Sequence, residues 1–305
     1  MDKNSCIYIA GNTGLVGRYL ERELVSEGYF NLLTSNSKDV DLTNKKLVDD
    51  YFKKNRPEYV FLLAARRGSI EDYAKYPVDY FSNDMQILLN VLECAHKYSV
   101  KKLLFTGSVC VYPEQKTDIL SEKDFRSSWV PISLEAFALA KAAGIILCEY
   151  YNRQYGTQFV SALLGNIYGG INGEELDVNT VIPAMIKNFH DAMQKTSGEV
   201  VIWGDGKQKR DFLHAKDCAK ALLTIMNSDM NNGWINVASG ESITINTLTK
   251  LIGNIVGFQG EIKHDLSKKG GEQRPCIDVS KLYKLGWRPE IKLTEGIQEY
   301  INAMK

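Results

Sequence analysis

The stretch Ala10-Gly11-Asn12-Thr13-Gly14-Leu15-Val16-Gly17 decides the fold. An apolar run, Cys6-Ile7-Tyr8-Ile9, precedes it, and a helical pattern, Arg18-Tyr19-Leu20-Glu21-Arg22-Glu23-Leu24, follows. Strand, glycine turn and helix together make the context in which a glycine spacing becomes a phosphate-binding turn for a dinucleotide. Gly11 suits the positive φ of a tight turn, Gly14 lets the backbone approach a pyrophosphate, and Gly17 lets the helix pack close to the strand. The amides at the helix start, at the positive end of its dipole, then face the phosphates, with Asn12, Thr13, Leu15 and Val16 completing the contact surface. A glycine triplet alone is a weak signal, and a glycine turn without ligand is the competing reading; the flanking elements favour the ligand.

Outward from this turn the first half alternates apolar runs with helical segments. Strands are expected at 31–34, 59–63, 102–106 and 160–164, with helices near 43–55, 75–99 and 135–155. Such alternation predicts an α/β fold, a doubly wound parallel sheet of Rossmann type covered on both faces. From about Tyr168 the segments shorten and glycine becomes frequent, as in Gly169-Gly170, Gly204-Asp205-Gly206 and Gly270-Gly271. The expected division is residues 1–167, mainly dinucleotide-binding, and 168–305, a smaller lobe interleaved with the end of the sheet.

The chain has 305 residues, with 37 basic and 37 acidic side chains, a balance that argues against nucleic-acid or membrane-surface binding. A local basic pocket stays open. No apolar targeting segment or bilayer-length run is evident. The six cysteines are scattered without metal-ligand spacing, mostly in apolar runs where cysteine is a small buried hydrophobe. These features predict a reduced, cytoplasmic protein without a bound metal.

Dinucleotide folds that take NAD usually place an acid at the end of the second strand, for the ribose 2′-hydroxyl. That region here reads Thr34-Ser35-Asn36-Ser37-Lys38, with no carboxylate before Asp39. Hydroxyls and a lysine suit a 2′-phosphate, so NADP(H) is the expected cofactor, contacted by Ser35, Asn36, Ser37 and Lys38. Asp41 and Leu42 are expected near the adenine. The alternative is that Lys38 is a solvated loop lysine and both cofactors are accepted.

Further segments line up in order: Phe61-Leu62-Leu63-Ala64-Ala65, Phe105-Thr106-Gly107-Ser108-Val109-Cys110-Val111-Tyr112-Pro113, Ala138-Leu139-Ala140-Lys141, Gly165-Asn166-Ile167-Tyr168-Gly169 and Arg210-Asp211-Phe212-Leu213-His214. Together they resemble the extended short-chain dehydrogenase/reductases acting on nucleotide sugars. Within that group the chain is similar to the GDP-L-fucose synthases, through Cys110 in its Gly-Ser-Val-Cys-Val-Tyr-Pro frame, Val181-Ile182-Pro183-Ala184-Met185, Trp203-Gly204-Asp205-Gly206 and Leu285-Gly286-Trp287. The resemblance spans nearly the whole chain. It implies that Ala64, Ala65, Thr106, Leu164, Asn166 and Ile167 also line the cofactor, and that the second lobe binds a sugar nucleotide.

The resemblance implies hydride transfer to a sugar C4 ketone, with a tyrosine of a Tyr-x-x-x-Lys pair protonating O4. Lysine lowers the tyrosine pKa and holds the ribose, and a strand-end serine bonds the same oxygen. Ser108 and Lys141 fill the serine and lysine positions; Phe137 stands at the tyrosine position. Phenylalanine has no proton to give. Either a tyrosine has been replaced to stop turnover, or this is a natural variant with another donor or a non-catalytic member. The first is favoured, because Ser108 and Lys141 remain, and the chain is then an inactive form that Phe137→Tyr should restore.

Fucose synthases also invert C3 and C5 with a cysteine and a histidine. Cys110 matches the cysteine, but Thr180 occupies the histidine position before Val181-Ile182-Pro183, and His190 lies two to three turns further on. Threonine does not titrate near neutral pH, so the epimerase half is expected to be absent. For the GDP-sugar, the resemblance assigns Ser108, Val109, Cys110, Asn166, Thr180, Val181, Lys187, Asn188, Trp203, Arg210 and Arg274. Arg210 suits a charge-assisted diphosphate contact. Pro275 replaces a family lysine, and Asn12-Thr13 replaces a His-Arg pair. A homodimer through the helices near 75–99 and 135–155 is expected. The resulting expectation is an NADPH-dependent C4-ketoreductase of a GDP-4-keto-6-deoxy hexose or heptose, serving surface polysaccharide. The alternatives are a bifunctional fucose synthase and a non-catalytic GDP-sugar-binding protein.

Overall fold

The computed structural model describes residues 1–36, 38–66, 68, 70–113, 119–127, 135–170, 180–194, 198–268 and 276–303. Six strands make one sheet: β1 (Ile7–Ala10), β2 (Leu32–Ser35), β3 (Tyr59–Leu62), β4 (Lys102–Ser108), β6 (Phe159–Leu164) and β10 (Trp234–Val237). Their order is β10-β6-β4-β3-β1-β2, and each neighbouring pair runs parallel. Strands buried on both faces need no polar alternation, which is why Ile7-Tyr8-Ile9-Ala10 and Leu103-Leu104-Phe105 read as continuous apolar runs.

One face is covered by α2 (Lys45–Asn55), α4 (Pro77–Lys97) and α5 (Glu135–Tyr155), whose Phe52, Val91, Leu92, Ile145 and Cys148 share a core with Tyr8, Val60 and Leu103. A short α3 (Ile70–Lys75) precedes α4. The other face carries α1 (Leu15–Ser26) and α7 (Ala215–Asn227), which bury Leu20, Leu24, Cys218, Leu222 and Ile225 with Ile7, Ile9 and Leu104. The expected helices near 43–55 and 135–155 lie where the periodicity placed them, and the one near 75–99 is α4. Helix α7 and strand β10 come from the second half of the chain yet belong to this sheet and its cover.

The remaining elements build the second lobe. Strands β7 (Asn166–Tyr168), β9 (Lys209–His214) and β11 (Ser242–Thr244) form a small sheet ordered β11-β9-β7. Strands β8 (Glu199–Trp203) and β12 (Glu261–Asp265) form a parallel ribbon, and β5 (Ile119–Leu120) pairs with β13 (Cys276–Ile277). Helices α6 (Val181–Gln194), α8 (Ile245–Val256) and α10 (Leu293–Ala303) bury Ile186, Phe189, Leu248, Ile252 and Ile297 in a third core, and α9 (Ser280–Lys284) sits against β10.

One buried cation ties the far end of the sheet together. Lys102 Nζ donates to the carbonyls of Ile225, Met226 and Ser228 at 2.9, 3.1 and 2.8 Å, capping the C-terminus of α7 where the helix dipole favours positive charge. Burial draws its pKa down to about 8.

Candidate active site

The strand order reverses between β1 and β3, and the carboxyl ends of those strands form the crevice where open α/β sheets take ligands. Gly11 ends β1 with φ +99°, and a Cβ there would stand 2.7 Å from the Ala64 amide nitrogen at the end of β3. Gly17 packs the first turn of α1 onto the glycine turn; its Cβ would lie 2.2 Å from Gly11 O. Gly14 differs. Its φ is −77°, and a Cβ would meet only Gly11 O, at 3.5 Å. Packing therefore demands glycine at 11 and 17 but not at 14. Glycine at 14 leaves an exposed backbone against which a pyrophosphate would fit. No side chain caps α1, and Asn12 Oδ1 is buried without a protein partner. These residues fit a dinucleotide, with the opening amides of α1 toward its phosphates.

After β2 the loop is shaped by Asn36. Its Oδ1 accepts from the amides of Lys38 and Asp39 at 2.8 and 3.2 Å, and its own amide donates to Asp39 Oδ2 at 3.2 Å. Asn36 and Lys38 are exposed, whereas Ser35 is buried with its Oγ 2.8 Å from Tyr8 OH. The pleat at the strand end turns Ser35 inward, so its hydroxyl serves the core. Ser37 lies outside the described residues. Asp41 accepts from Thr43, and Leu42 is half-buried against the core.

The catalytic candidates converge at the ends of β4 and α5. Lys141 is 7 % exposed, and its Nζ donates to Thr106 O at 2.9 Å. The ammonium lies 5.0 Å from the Phe105 ring centroid and 5.8 Å from that of Phe137, one turn earlier on α5. Gly144 sets this height: a Cβ there would press on the Phe105 ring at 2.4 Å, so glycine lets α5 settle onto β4. The Thr106 hydroxyl turns away to Leu62 O at 3.1 Å, so Thr106 offers the site its carbonyl, through Lys141. Ser108, half-buried, ends β4 opposite Leu164 of β6, and its Oγ accepts from the Cys110 amide at 3.2 Å. Val109 is buried; Cys110 is half-buried.

Two neighbours of this centre carry no motif of their own. The Tyr73 ring lies 5.3 Å from that of Phe137. Asp84 accepts from the Arg66 amide at 2.7 Å and borders, with Lys141, a cavity of about 10 Å³, the size of one water. The helical period of α4 placed Asp84 on the sheet side, the one signal that could have found it.

Residues 7–238 match the model of the NAD dependent epimerase/dehydratase family. The chain belongs to that family. A probable GDP-L-fucose synthase from Oryza sativa subsp. japonica is 38% identical over 299 residues, covering 98% of this chain and 91% of the relative. The GDP-L-fucose synthase of Escherichia coli (strain K12) is 36% identical, covering 95% and 94%. Among solved structures, a GDP-mannoheptose C4 reductase from Campylobacter jejuni with NADP bound is 33% identical at TM-score 0.88, covering 100% of this chain and 99% of that one.

On the lobe side of this epimerase/dehydratase fold, Asn166 opens β7 beside the end of β6, and its Nδ2 donates to Asp211 O at 2.9 Å. Asn166 and Ile167 thus lie along β9, where Arg210 Nη1 donates to Lys209 O at 2.7 Å, while Leu164 stays in the main sheet between Ser108 and Val237. Asp211 is buried, accepting from the Ser239 amide and hydroxyl and the Gly240 amide, which pins β9 to the loop after β10. Thr180 directly precedes α6, and Val181 begins it. Lys187 pairs with Asp191 at 2.8 Å, and Asn188 is exposed. His190 points to solvent, 3.2 Å from Gln194. Trp203 is 54 % exposed on the β8–β12 ribbon with Lys268 Nζ 4.9 Å above its ring. Arg274 lies outside the described residues.

Proposed function

We propose that this chain is an NADPH-dependent C4-ketoreductase of a GDP-4-keto-6-deoxy sugar, hexose or heptose, without 3,5-epimerase activity. Residues 1–167 mainly hold the dinucleotide, and 168–305 mainly hold the sugar nucleotide. The observation that carries the reading is the buried Lys141 ammonium beside Phe137, close to the Ser108 strand end. A lysine costs energy to bury, and this one is buried beside the end of β4 with its ammonium on Thr106 O. The NADP-bound C4 reductase among the similar structures supports the cofactor and the reaction. When bound, NADPH supplies hydride. Ser108 Oγ holds the C4 oxygen, Lys141 places positive charge beside the developing alkoxide, and Arg210 and Lys187 take the diphosphate. The chain as it stands is read as an impaired form, because Phe137 has no proton to give, and Phe137→Tyr should restore turnover.

Thr180, in place of a titrating histidine, argues against proton exchange at C3 and C5. In deuterated water the product should carry no deuterium at those carbons beyond a control without enzyme. Rapid enzyme-dependent exchange would put the bifunctional fucose-synthase reading first, which Cys110 and the named relatives favour.

The helices of the first sheet face support a homodimer. Leu88, Val91, Leu92 and Ile145 are consumed by the core, yet Phe81, Leu89, Tyr150 and Tyr155 on the same two helices remain 37–50 % exposed. An apolar outer face on a helix pair suits pairing about a two-fold axis. Sedimentation at micromolar concentration should read a dimer mass; a monomer mass would refute it.

A further inference from the structure

The end of β4 that carries Ser108 is tied to the final third of the chain by one buried amide. Ser108 opens the 3₁₀ turn Val109–Val111: its Oγ accepts from the Cys110 amide at 3.2 Å, and the Tyr112 amide closes the turn on Val109 O at 3.2 Å. Tyr112 is wholly buried, and its OH donates to Asn236 Oδ1 of β10 at 2.6 Å, across 124 residues of sequence. Burial pushes the phenol far above its ordinary pKa, so it stays a donor. The Asn236 carboxamide is held at both ends, because its Nδ2 donates to Asp278 O at 3.0 Å, just past β13. Its backbone N–H donates to Glu122 Oε1 at 2.9 Å, and Trp234 Nε1 donates to the Glu122 carbonyl at 3.0 Å.

Resting on the ketoreductase reading, we infer that Asn236 is a positioning residue for the reaction: through Tyr112 it sets the orientation of the Ser108 turn. Burial of Val109, Val111 and Tyr112 fixes how deep the turn sits, but apolar burial has no direction. A short hydrogen bond has one, and this bond ends on an amide that cannot swing without releasing Asp278 O. Direction matters at Ser108. With a lone pair of Oγ given to the Cys110 amide, the hydroxyl keeps its proton for the C4 oxygen, and the turn decides where that proton points. Packing alone does not call for this pair. Phenylalanine fills the ring position at 112, and an apolar residue fills a strand position between Ile235 and Val237, whereas a buried phenol and carboxamide are tolerated only when bonded.

The test takes the Phe137→Tyr protein as parent and adds Tyr112→Phe, which keeps the ring and removes the bond. On GDP-4-keto-6-deoxymannose with NADPH, kcat should fall about 10- to 100-fold, the scale of a misplacement of about an ångström. The NADPH dissociation constant, read by fluorescence titration, should stay within about threefold, since the lost orientation acts on the reacting oxygen. Cys110, on the turn itself, should be alkylated by iodoacetamide about three- to tenfold faster, measured by peptide mass spectrometry against Cys6, as the turn opens more often. Lys102→Met is the control for lost stability. It removes the cap on α7 at the opposite end of β4, and should lower the melting temperature while kcat and the Cys110 rate stay at parent values. A parent-like kcat or a parent-like Cys110 rate in Tyr112→Phe overturns the inference. So does a Lys102→Met protein that loses kcat and exposes Cys110 to the same extent. If the parent binds NADPH and reduces no GDP-4-keto sugar, the ketoreductase reading itself fails; faster Cys110 alkylation in Tyr112→Phe then still upholds the tie between Asn236 and the turn, and an unchanged rate overturns it.

Discussion

In the Phe137→Tyr protein, Lys141→Met should lower kcat by a factor on the order of 10²–10⁴ while the protein remains folded. Methionine nearly matches the lysine stem in volume, so the 7 % exposed slot between Phe105 and Phe137 stays filled. What disappears is the ammonium and its 2.9 Å bond to Thr106 O. Whichever hydroxyl protonates O4, the conjugate base it leaves is formed beside this cation, in a site where burial strengthens the interaction. Following NADPH absorbance on a GDP-4-keto sugar checks it, with a melting curve as the control for folding. A methionine variant that works at the parent rate would reduce Lys141 to a packing residue and remove the main support for the reaction assigned here.

Gly17→Ala and Gly14→Ala should fail in opposite ways. At 17 the new methyl would lie 2.2 Å from Gly11 O and 2.7 Å from Asn12 Cα, backbone atoms that move only with the turn itself. Overpacking of that kind costs about 1–3 kcal/mol or more, so the melting temperature of the protein without cofactor should fall. At 14 the methyl meets only Gly11 O at 3.5 Å, an ordinary contact, and the free protein should lose no more than about 0.5 kcal/mol. The loss there should appear in NADPH affinity, about ten- to a hundredfold, as the methyl takes the space of the pyrophosphate. Melting curves with and without NADPH separate the two. Equal destabilisation of both free proteins would show that Gly14 is kept for packing, and the turn would lose its reading as a phosphate cradle.

The contrast between those glycines shows where sequence was a sufficient guide. The glycine turn, the apolar strands and the Phe137–Lys141 spacing are local signals, set within a few residues by pleat and helical period, and they led directly to β1, α1, β4 and the Lys141 side of the site. Side-chain direction at strand ends was not legible. Ser35 and Thr106 sit in the right segments, but register turns their hydroxyls to Tyr8 and Leu62. Contacts across the fold were least legible of all. Tyr73 belongs to no motif, and only the packing of α3 and α4 against α5 brings it to Phe137. In the second half the strands β7 to β13, two to six residues long, escaped prediction because runs that short carry too little periodicity, and helix α7 was not singled out.

The position of β10 has a consequence for how the molecule can be cut. The strand comes late in the chain, after the small β7–β9 sheet, and pairs residue for residue with β6 from Trp234↔Ser161 to Val237↔Leu164. A fragment ending near residue 167 would therefore not be a smaller nucleotide binder. It would present β6 as a bare edge, with unpaired amides and carbonyls offered to any passing strand, and would lack α7, which covers Ile9 and Leu104. The two lobes are sewn together by the order in which the chain visits them, so an inserted or exchanged module has to respect both crossings at once.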